Sequence, residues 1–178
     1  MFGDPERARF IAETAGFVGL FAVGSWISIP LPPVPFTLQT LFVLLAGALM
    51  GRYAVVPACL FILLGAMNLP LFHNGASGIG VLLGPTGGYL IGFIPAALVV
   101  GLAYEHRSQV GRAIGLALAT LIILACGSTW LSISTGMKMW EAFLIGMFPF
   151  LPGDALKAYG AHLIAARFAN DRVPREAV

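Results

Sequence analysis

Six long apolar segments, separated by charges or by proline and glycine clusters, constrain the fold of this 178-residue chain most strongly. A helix that crosses a membrane needs about 20 mostly apolar residues. Charged residues make up only 10% of the chain, whereas a soluble domain carries about 25%. The segments are apolar on every side, so they lack the alternation of a membrane β-barrel. The sequence therefore predicts an all-α integral membrane protein.

The six predicted transmembrane helices form a single domain that covers residues 1–178. The last segment is long and contains Pro149 and Pro152. Each proline removes a backbone donor, so we expect this helix to kink or break inside the membrane. The approximate spans are 10–29, 36–50, 54–72, 88–104, 113–134 and 140–168.

Basic residues predict the orientation of the helices. With six spans, both termini and the loops after the second and fourth spans face the same side. The loops on the opposite side contain a single basic residue, Lys138. Because cytoplasmic loops are enriched in Lys and Arg, we expect a multi-pass cell-membrane protein with both termini in the cytoplasm. The arginines on that side are Arg7, Arg9, Arg52, Arg107, Arg112, Arg167, Arg172 and Arg175.

Two charged residues lie inside the last apolar segment. Asp154 and Lys157 are spaced i, i+3 and so share one helix face. A charge at the bilayer centre costs about 3 kcal/mol or more, which makes such residues rare and often functional. The pair is either a structural ion pair or a binding site for a ligand with hydrogen-bond donors and an anionic group. Pro152 and Gly153 favour the second interpretation, since a helix that restarts before Asp154 offers free N–H groups.

The segment 84–89, with the sequence GPTGGY, is the other compact signal. It lacks the G-x-x-x-x-G-K-[ST] pattern of a nucleotide-binding loop. It can be a tight turn that caps the fourth span. Alternatively, Gly87 and Gly88 let the backbone approach a ligand, and Thr86 and Tyr89 supply hydroxyl groups.

The outer loop over residues 73–87 is rich in glycine and yet contains several apolar residues. Such a loop suits solvent poorly, so we expect it to fold over the bundle as a lid. Asn74 in this loop and Gln39 in the second span are candidate ligand contacts. A buried amide must be hydrogen-bonded, and Gln39 can satisfy this requirement on a neighbouring helix.

Small residues recur along the first span. Such residues let helices approach closely and are typical of helix–helix contacts in membranes. They mark either a docking face for a membrane partner or packing within the chain. The residues of this stripe are Ala8, Ala12, Ala15 and Gly19.

Several classes of function are disfavoured by the sequence. The net charge of +2 includes no basic stripe, so we expect no nucleic-acid partner. No histidine or cysteine lies near Asp154 in the chain, which disfavours an enzyme with a nucleophile and a base. The histidines lack a second ligand at helical spacing, so we expect no metal. A proton-coupled transporter with Asp154 as the relay remains open, although no inverted repeat is visible.

Five motifs together resemble the biotin-specific substrate-binding components of energy-coupling factor (ECF) transporters, the BioY family. GPTGGY and FLPGD-x-x-K within one small six-helix chain are a specific combination. The resemblance implies an S-component-like helical bundle that captures biotin from outside, with no cofactor and no catalytic residue. The motifs cover residues 34–40, 45–49, 64–66 with 69–70, 83–89 and 150–157.

The resemblance also implies partners and binding residues. An S component works with a scaffold transmembrane subunit and two ABC-type ATPases, and its first helix faces the scaffold. Asp154 can accept a hydrogen bond from the ureido group of biotin, and Lys157 can contact either the carboxylate of biotin or Asp154. A stand-alone or proton-coupled vitamin transporter is the alternative. The candidate substrate-binding residues are Asp154, Lys157, Tyr89, Thr86, Gly87, Gly88, Asn74 and Gln39.

Overall fold

The computed structural model describes residues 5–106 and 108–171. Arg107, Arg172 and Arg175, which contribute to the orientation argument, lie outside the described residues. Within the described ranges the chain forms eight α-helices and one two-stranded ribbon. The helices are α1 (Pro5–Trp26), α2 (Gln39–Met50), α3 (Val55–Ala66), α4 (Ile79–Leu83), α5 (Gly87–Glu105), α6 (Gln109–Thr135), α7 (Met139–Gly146) and α8 (Leu151–Asp171).

The helices are shorter than the apolar segments at the outer ends of the first three spans. After α1, strands β1 (Ser28–Ile29) and β2 (Phe36–Thr37) pair antiparallel across the proline-rich turn. The prolines lack the N–H that a helix needs, so α2 begins only at Gln39. Asn68 adopts a positive φ of 70° just beyond the end of α3. A hydropathy profile does not show these breaks in the helices, because the residues around them are also apolar.

A 3₁₀ turn over Gly51–Ala54 joins α2 to α3. Gly51 has a φ of 62°, a conformation that glycine adopts at little cost. A Cβ at this position would also lie 2.9 Å from Oε1 of Glu105. The same carboxylate pairs with Arg52 at 2.7 Å, so the turn is tied to the end of α5.

The last apolar segment is broken, as its prolines predicted. Helix α7 ends at Gly146 and α8 begins at Leu151. Pro152 stands in the first turn of α8, where its missing N–H has no helical partner to lose. The expected free N–H at Asp154 is wrong, because this group donates to the carbonyl of Phe150 at 2.8 Å. Asp154 therefore lies inside the helix and offers its side chain only.

The core lies where α2, α5, α6 and α8 meet, and small residues bring these helices close together. Val43, Leu44, Ala97 and Ala161 have 0% exposure. Helices α1, α5 and α6, and α2 with α3 taken as one segment, are long and apolar enough to cross a membrane. The count of six spans and the cytoplasmic position of the termini stay predictions.

The outer loop folds against the bundle and contains a 3₁₀ turn, His73–Gly75, followed by α4. Val81 and Leu82 pack against the core, whereas Ile79 and Leu83 are exposed. The indole Nε1 of Trp130 on α6 donates to the carbonyl of Gly84 at 3.0 Å. The loop therefore covers part of the bundle, and its movement as a lid stays a prediction.

The four small residues of α1 do not serve packing within the described chain. Ala8, Ala12, Ala15 and Gly19 are all exposed. A Cβ added at Gly19 would meet nothing within 4 Å. The opposite face of α1 carries Phe17 and Phe21, which are buried. The internal-packing interpretation of this stripe is therefore not supported, and the stripe is left open to lipid or to a partner.

Candidate ligand-binding site

A cavity, here called the main cavity, opens at the end of the bundle where α2, α5 and α8 begin. The space between its side chains amounts to about 550 Å³ with the open mouth included. The first turns of α2, α5 and α8 surround it, together with the middle of α6 and the segment before α2. Its polar or hydrogen-bonding side chains are Thr37, Gln39, Thr40, His73, Thr86, Tyr89, Asp154 and Lys157.

Asp154 and Lys157 form a buried ion pair on one side of the main cavity. The Nζ atom of Lys157 lies 2.7 Å from Oδ1 of Asp154, and the two residues are only 7% and 2% exposed. The hydroxyl of Thr40 donates to the same Oδ1 at 3.0 Å. Both bonds end on Oδ1, which leaves Oδ2 for a donor from outside the pair. Burial of this kind requires both pairing and hydrogen bonding.

Lys157 is also committed to the segment in front of α2. Its Nζ donates to the carbonyl of Thr37 at 2.6 Å and to the hydroxyl of Thr40 at 3.0 Å. It lies 3.5 Å from the centre of the Phe36 ring, in cation–π contact. An ammonium group has three hydrogens, and Asp154, Thr37 and Thr40 accept all of them. Of the two contacts expected for Lys157, the structure shows the one to Asp154.

Gln39 is a cavity-lining residue that carries an unpaired donor. The residue is 4% exposed and lines the main cavity. Its Nε2 has no hydrogen-bond partner among the described residues. The structural hydrogen bond that the sequence favoured for this group is therefore not found. A buried donor without an acceptor is costly, so this group is suited to an acceptor on a bound molecule.

The GPTGGY segment divides into residues that line the cavity and residues that pack. Thr86 and Tyr89 line it. The Tyr89 hydroxyl donates to the carbonyl of Gly146 at 2.6 Å, so the ring rather than the hydroxyl faces the cavity. Gly87 and Gly88 are buried against Leu82 and Trp130, where a Cβ would clash. These two glycines let α5 approach α4 and α6, and they do not line the cavity.

The outer loop contributes His73 in place of the expected Asn74. Asn74 is exposed, and its Oδ1 accepts a hydrogen bond from Ser28 at 3.1 Å. Asn74 has a φ of 55° and does not line the cavity. His73 is partly buried and lines the cavity, and burial lowers the pKa of its imidazole. His73 is therefore neutral at pH 7, with one ring nitrogen as a donor and the other as an acceptor.

Several lining residues escaped the sequence analysis. Thr40 lies in the motif over residues 34–40, but its contact with Asp154 joins residues 114 positions apart. The aromatic wall, which includes Phe36, Phe93 and Phe150, is built from strand β2, helix α5 and the turn before α8. Spacing along the chain gives no signal for such contacts. A threonine and a glutamine in the first turn of an otherwise apolar helix are the one clue that the sequence offered.

Comparison with known proteins gives the family. The model of the BioY family matches residues 4–173. The chain belongs to the BioY family. A protein described as "Biotin transporter BioY" from Thermotoga maritima is 43% identical over 169 residues, which cover 94% of this chain and 99% of that protein. A "Probable biotin transporter BioY" from Pyrococcus horikoshii is 38% identical over 93% of this chain and 99% of its own length.

BioY-family membership agrees with the fold. The structure resembles a solved structure described as "the S-component for biotin from an ECF-type ABC transporter". The TM-score is 0.86, the identity is 24%, and the match covers 96% of this chain and 95% of the other. The predicted S-component-like helical bundle and the resemblance to the BioY family are thereby confirmed. This chain is a multi-pass membrane protein of a transport family and not an enzyme.

Proposed function

We propose that this BioY-family chain is the biotin-binding subunit of an ATP-driven ECF transporter and captures biotin from outside. Two observations support the proposal. Its relatives are described as biotin transporters, and the main cavity combines a few polar groups with apolar walls, as small-molecule sites do.

The observation that carries the proposal is an unpaired acceptor and an unpaired donor on two residues that line the same cavity. Oδ2 of Asp154 can accept a hydrogen bond, and Nε2 of Gln39 can donate one. The ureido group of biotin offers N–H donors and a carbonyl acceptor within one small ring. One N–H of this ring donates to Asp154, and the ureido carbonyl accepts from Gln39. A ligand that lacks either function leaves a buried polar group unsatisfied, which reduces its affinity.

The rest of biotin matches the remainder of the cavity. Its thiophane ring and valerate chain are apolar and suit the aromatic wall of Phe36, Phe93 and Phe150. The ammonium group of Lys157 already donates its three hydrogens to residues of the chain. The valerate carboxylate therefore points to the mouth, where Thr86 and His73 provide hydrogen-bonding groups. Lys157 then acts as a positioning residue, because it holds the carboxylate of Asp154.

Uptake requires partners that supply energy. A scaffold transmembrane subunit and two ABC-type ATPases perform this role, because the chain has no nucleotide-binding loop. The exposed stripe of Ala8, Ala12, Ala15 and Gly19 on α1 is the docking face. In the stand-alone, proton-coupled alternative, Asp154 would relay protons. Its ion pair with Lys157 disfavours this role, since the carboxylate already has a fixed cation as its partner.

Binding of labelled biotin to the purified full-length chain tests the proposal. We expect tight binding, together with weakening by at least tenfold, or about 1.4 kcal/mol, in Gln39→Ala. Gln109→Ala, at the start of α6, removes the same side chain at an exposed position and should leave affinity unchanged. Biotin methyl ester should compete better than a diamine derivative without the ureido carbonyl. Absence of biotin binding to the intact chain would overturn the proposal.

A further inference from the structure

A second group of polar side chains lies at the end of the bundle opposite the main cavity. At this end α2, α5 and α8 end and α6 begins. Arg112 in the first turn of α6 lies over Tyr104, with its Cζ 5.3 Å from the ring centre. The Tyr104 hydroxyl lies 2.7 Å from Nδ1 of His162. These side chains and small residues of α2 and α8 enclose a space of about 710 Å³, its open mouth included, here called the Arg112 recess.

Arg112 lines this recess, and its guanidinium has an unused donor. Its Nε is buried and has no hydrogen-bond partner among the described residues. By contrast, Arg52 at the same end of the bundle donates to both carboxylate oxygens of Glu105. A buried, unpaired N–H on a charged group is costly to maintain. The planar fork of a guanidinium matches phosphate or carboxylate, so an anionic oxygen is the partner that it lacks.

An apolar groove continues from the recess along the bundle, and His162 lines both. This α6–α8 groove holds about 930 Å³, its open side included. Ala113, Ala117 and Leu121 follow one another at i, i+4 on α6, and Ala155 and Ala158 face them from α8. The alanines keep both helix surfaces shallow, which leaves a channel between the two helices. The groove therefore offers apolar surface that begins at a polar, cationic end.

We infer that the Arg112 recess and the α6–α8 groove together bind one phospholipid. The phosphate pairs with the guanidinium of Arg112, and one acyl chain lies in the groove. The chain is a membrane protein, so phospholipid is present at both surfaces of the bundle. Basic pockets between transmembrane helices on the cytoplasmic side are known to take lipid headgroups. An unpaired guanidinium favours a net negative headgroup such as phosphatidylglycerol.

This lipid site is separate from the main cavity. Arg112, Tyr104 and His162 do not line that cavity. The headgroup would contact α6 while the residues around it belong to α2, α5 and α8. One lipid would therefore join the ends of four helices. We expect it to stabilise the bundle without changing the affinity for biotin, which makes the inference independent of the proposed ligand.

Native mass spectrometry of the full-length chain, delipidated and then mixed with phosphatidylglycerol or phosphatidylcholine, tests the site. The wild-type chain should retain one phosphatidylglycerol at concentrations where phosphatidylcholine is lost. Arg112→Gln should weaken this retention by at least tenfold. Arg167→Gln is the matched control, because Arg167 is exposed near the same end of α8 and lines neither space. Equal retention by Arg112→Gln and the wild type would overturn the inference.

A second variant separates a lipid from a free anion and guards against a fold defect. Ala117→Trp fills the groove and leaves Arg112 intact, so it should lose phosphatidylglycerol. Biotin binding by both variants shows that they are folded. Inorganic phosphate should raise the midpoint of thermal unfolding of the wild type less than phosphatidylglycerol does. If phosphate acts as strongly and Ala117→Trp retains the lipid, the recess takes a soluble anion and the lipid inference is wrong.

Discussion

The ammonium group of Lys157 donates to the backbone carbonyl of Thr37 at a distance of 2.6 Å. This contact ties the second turn of α8 to the extended segment in front of α2. The same ammonium group holds Oδ1 of Asp154. Lys157 therefore determines both the shape of the cavity wall and the direction of the carboxylate. Substitutions at the two charged positions should consequently have different effects.

Lys157→Met should lower stability and biotin affinity together, because it leaves the Asp154 carboxylate buried without its cation. Breaking a buried pair in this way costs about 3–5 kcal/mol. Asp154→Asn combined with Lys157→Met removes both charges and should recover much of the stability but none of the affinity. Thermal unfolding and labelled-biotin binding measure the two quantities. Full recovery of affinity in the double variant would return the pair to a purely structural role.

Tyr89→Phe should weaken biotin binding by less than about threefold, which is less than 1 kcal/mol. The hydroxyl already donates to Gly146, whereas the ring lines the cavity. Its loss should cost about 1 kcal/mol of stability, since the carbonyl of Gly146 loses its donor. Tyr89→Ala removes the ring and should weaken binding much more. A large loss of affinity in Tyr89→Phe would show that the hydroxyl turns towards the ligand.

Gly88→Ala should destabilise the chain by about 1–3 kcal/mol through overpacking. A Cβ at this position would clash with the side chain of Trp130 and lie 2.5 Å from the carbonyl oxygen of Cys126. Gly80→Ala in α4 is the matched control, because a Cβ there meets nothing within 4 Å. Thermal unfolding of both variants measures the difference. Similar midpoints would mean that α5 and α6 can separate without cost.

Ala12→Trp should abolish uptake in cells and co-purification with the scaffold subunit. A bulky side chain on the exposed stripe of α1 prevents close approach of a partner helix. Biotin affinity of the isolated chain should stay within about twofold, or 0.5 kcal/mol. Leu20→Trp, which lies off the stripe at 37% exposure, controls for bulk on the helix. Normal transport by Ala12→Trp would place the docking face elsewhere.

The unliganded chain should become less stable as the pH falls below the ordinary pKa of histidine, 6.5. Burial lowers the pKa of His73 in the folded state, so the unfolded chain takes up a proton first. The stability that depends on neutral His73 is complete above pH 6.5 and is lost as the pH falls through the folded pKa. His73→Gln should reduce this slope, measured by thermal unfolding at a series of pH values. His106→Gln, at an exposed position, should leave it unchanged.

The membrane fold was predictable because hydropathy accumulates along each segment. Asp154 and Lys157 were recognisable as candidates because charges in such segments are rare. The hydrogen bonds from Lys157 to Thr37 and Thr40 were not predictable, since they depend on how α8 packs against α2. That His73 lines the main cavity, and not the expected Asn74, was unpredictable for a similar reason. The backbone conformation of one loop residue decides which of two neighbours faces the cavity, and residue types do not encode that conformation uniquely.

The length of α8 beyond the main cavity limits how any cargo could leave. From Asp154 to the end of α8 at Asp171, the helix extends for about 25 Å at 1.5 Å per residue. Beside it, Val43, Val100, Ala119 and Ala161 form a floor of close-packed residues with 0% exposure. No side-chain rotation opens a path through such a floor. Delivery across the membrane must therefore move whole helices or the whole chain, because the main cavity is open at one end of the bundle and closed at the other.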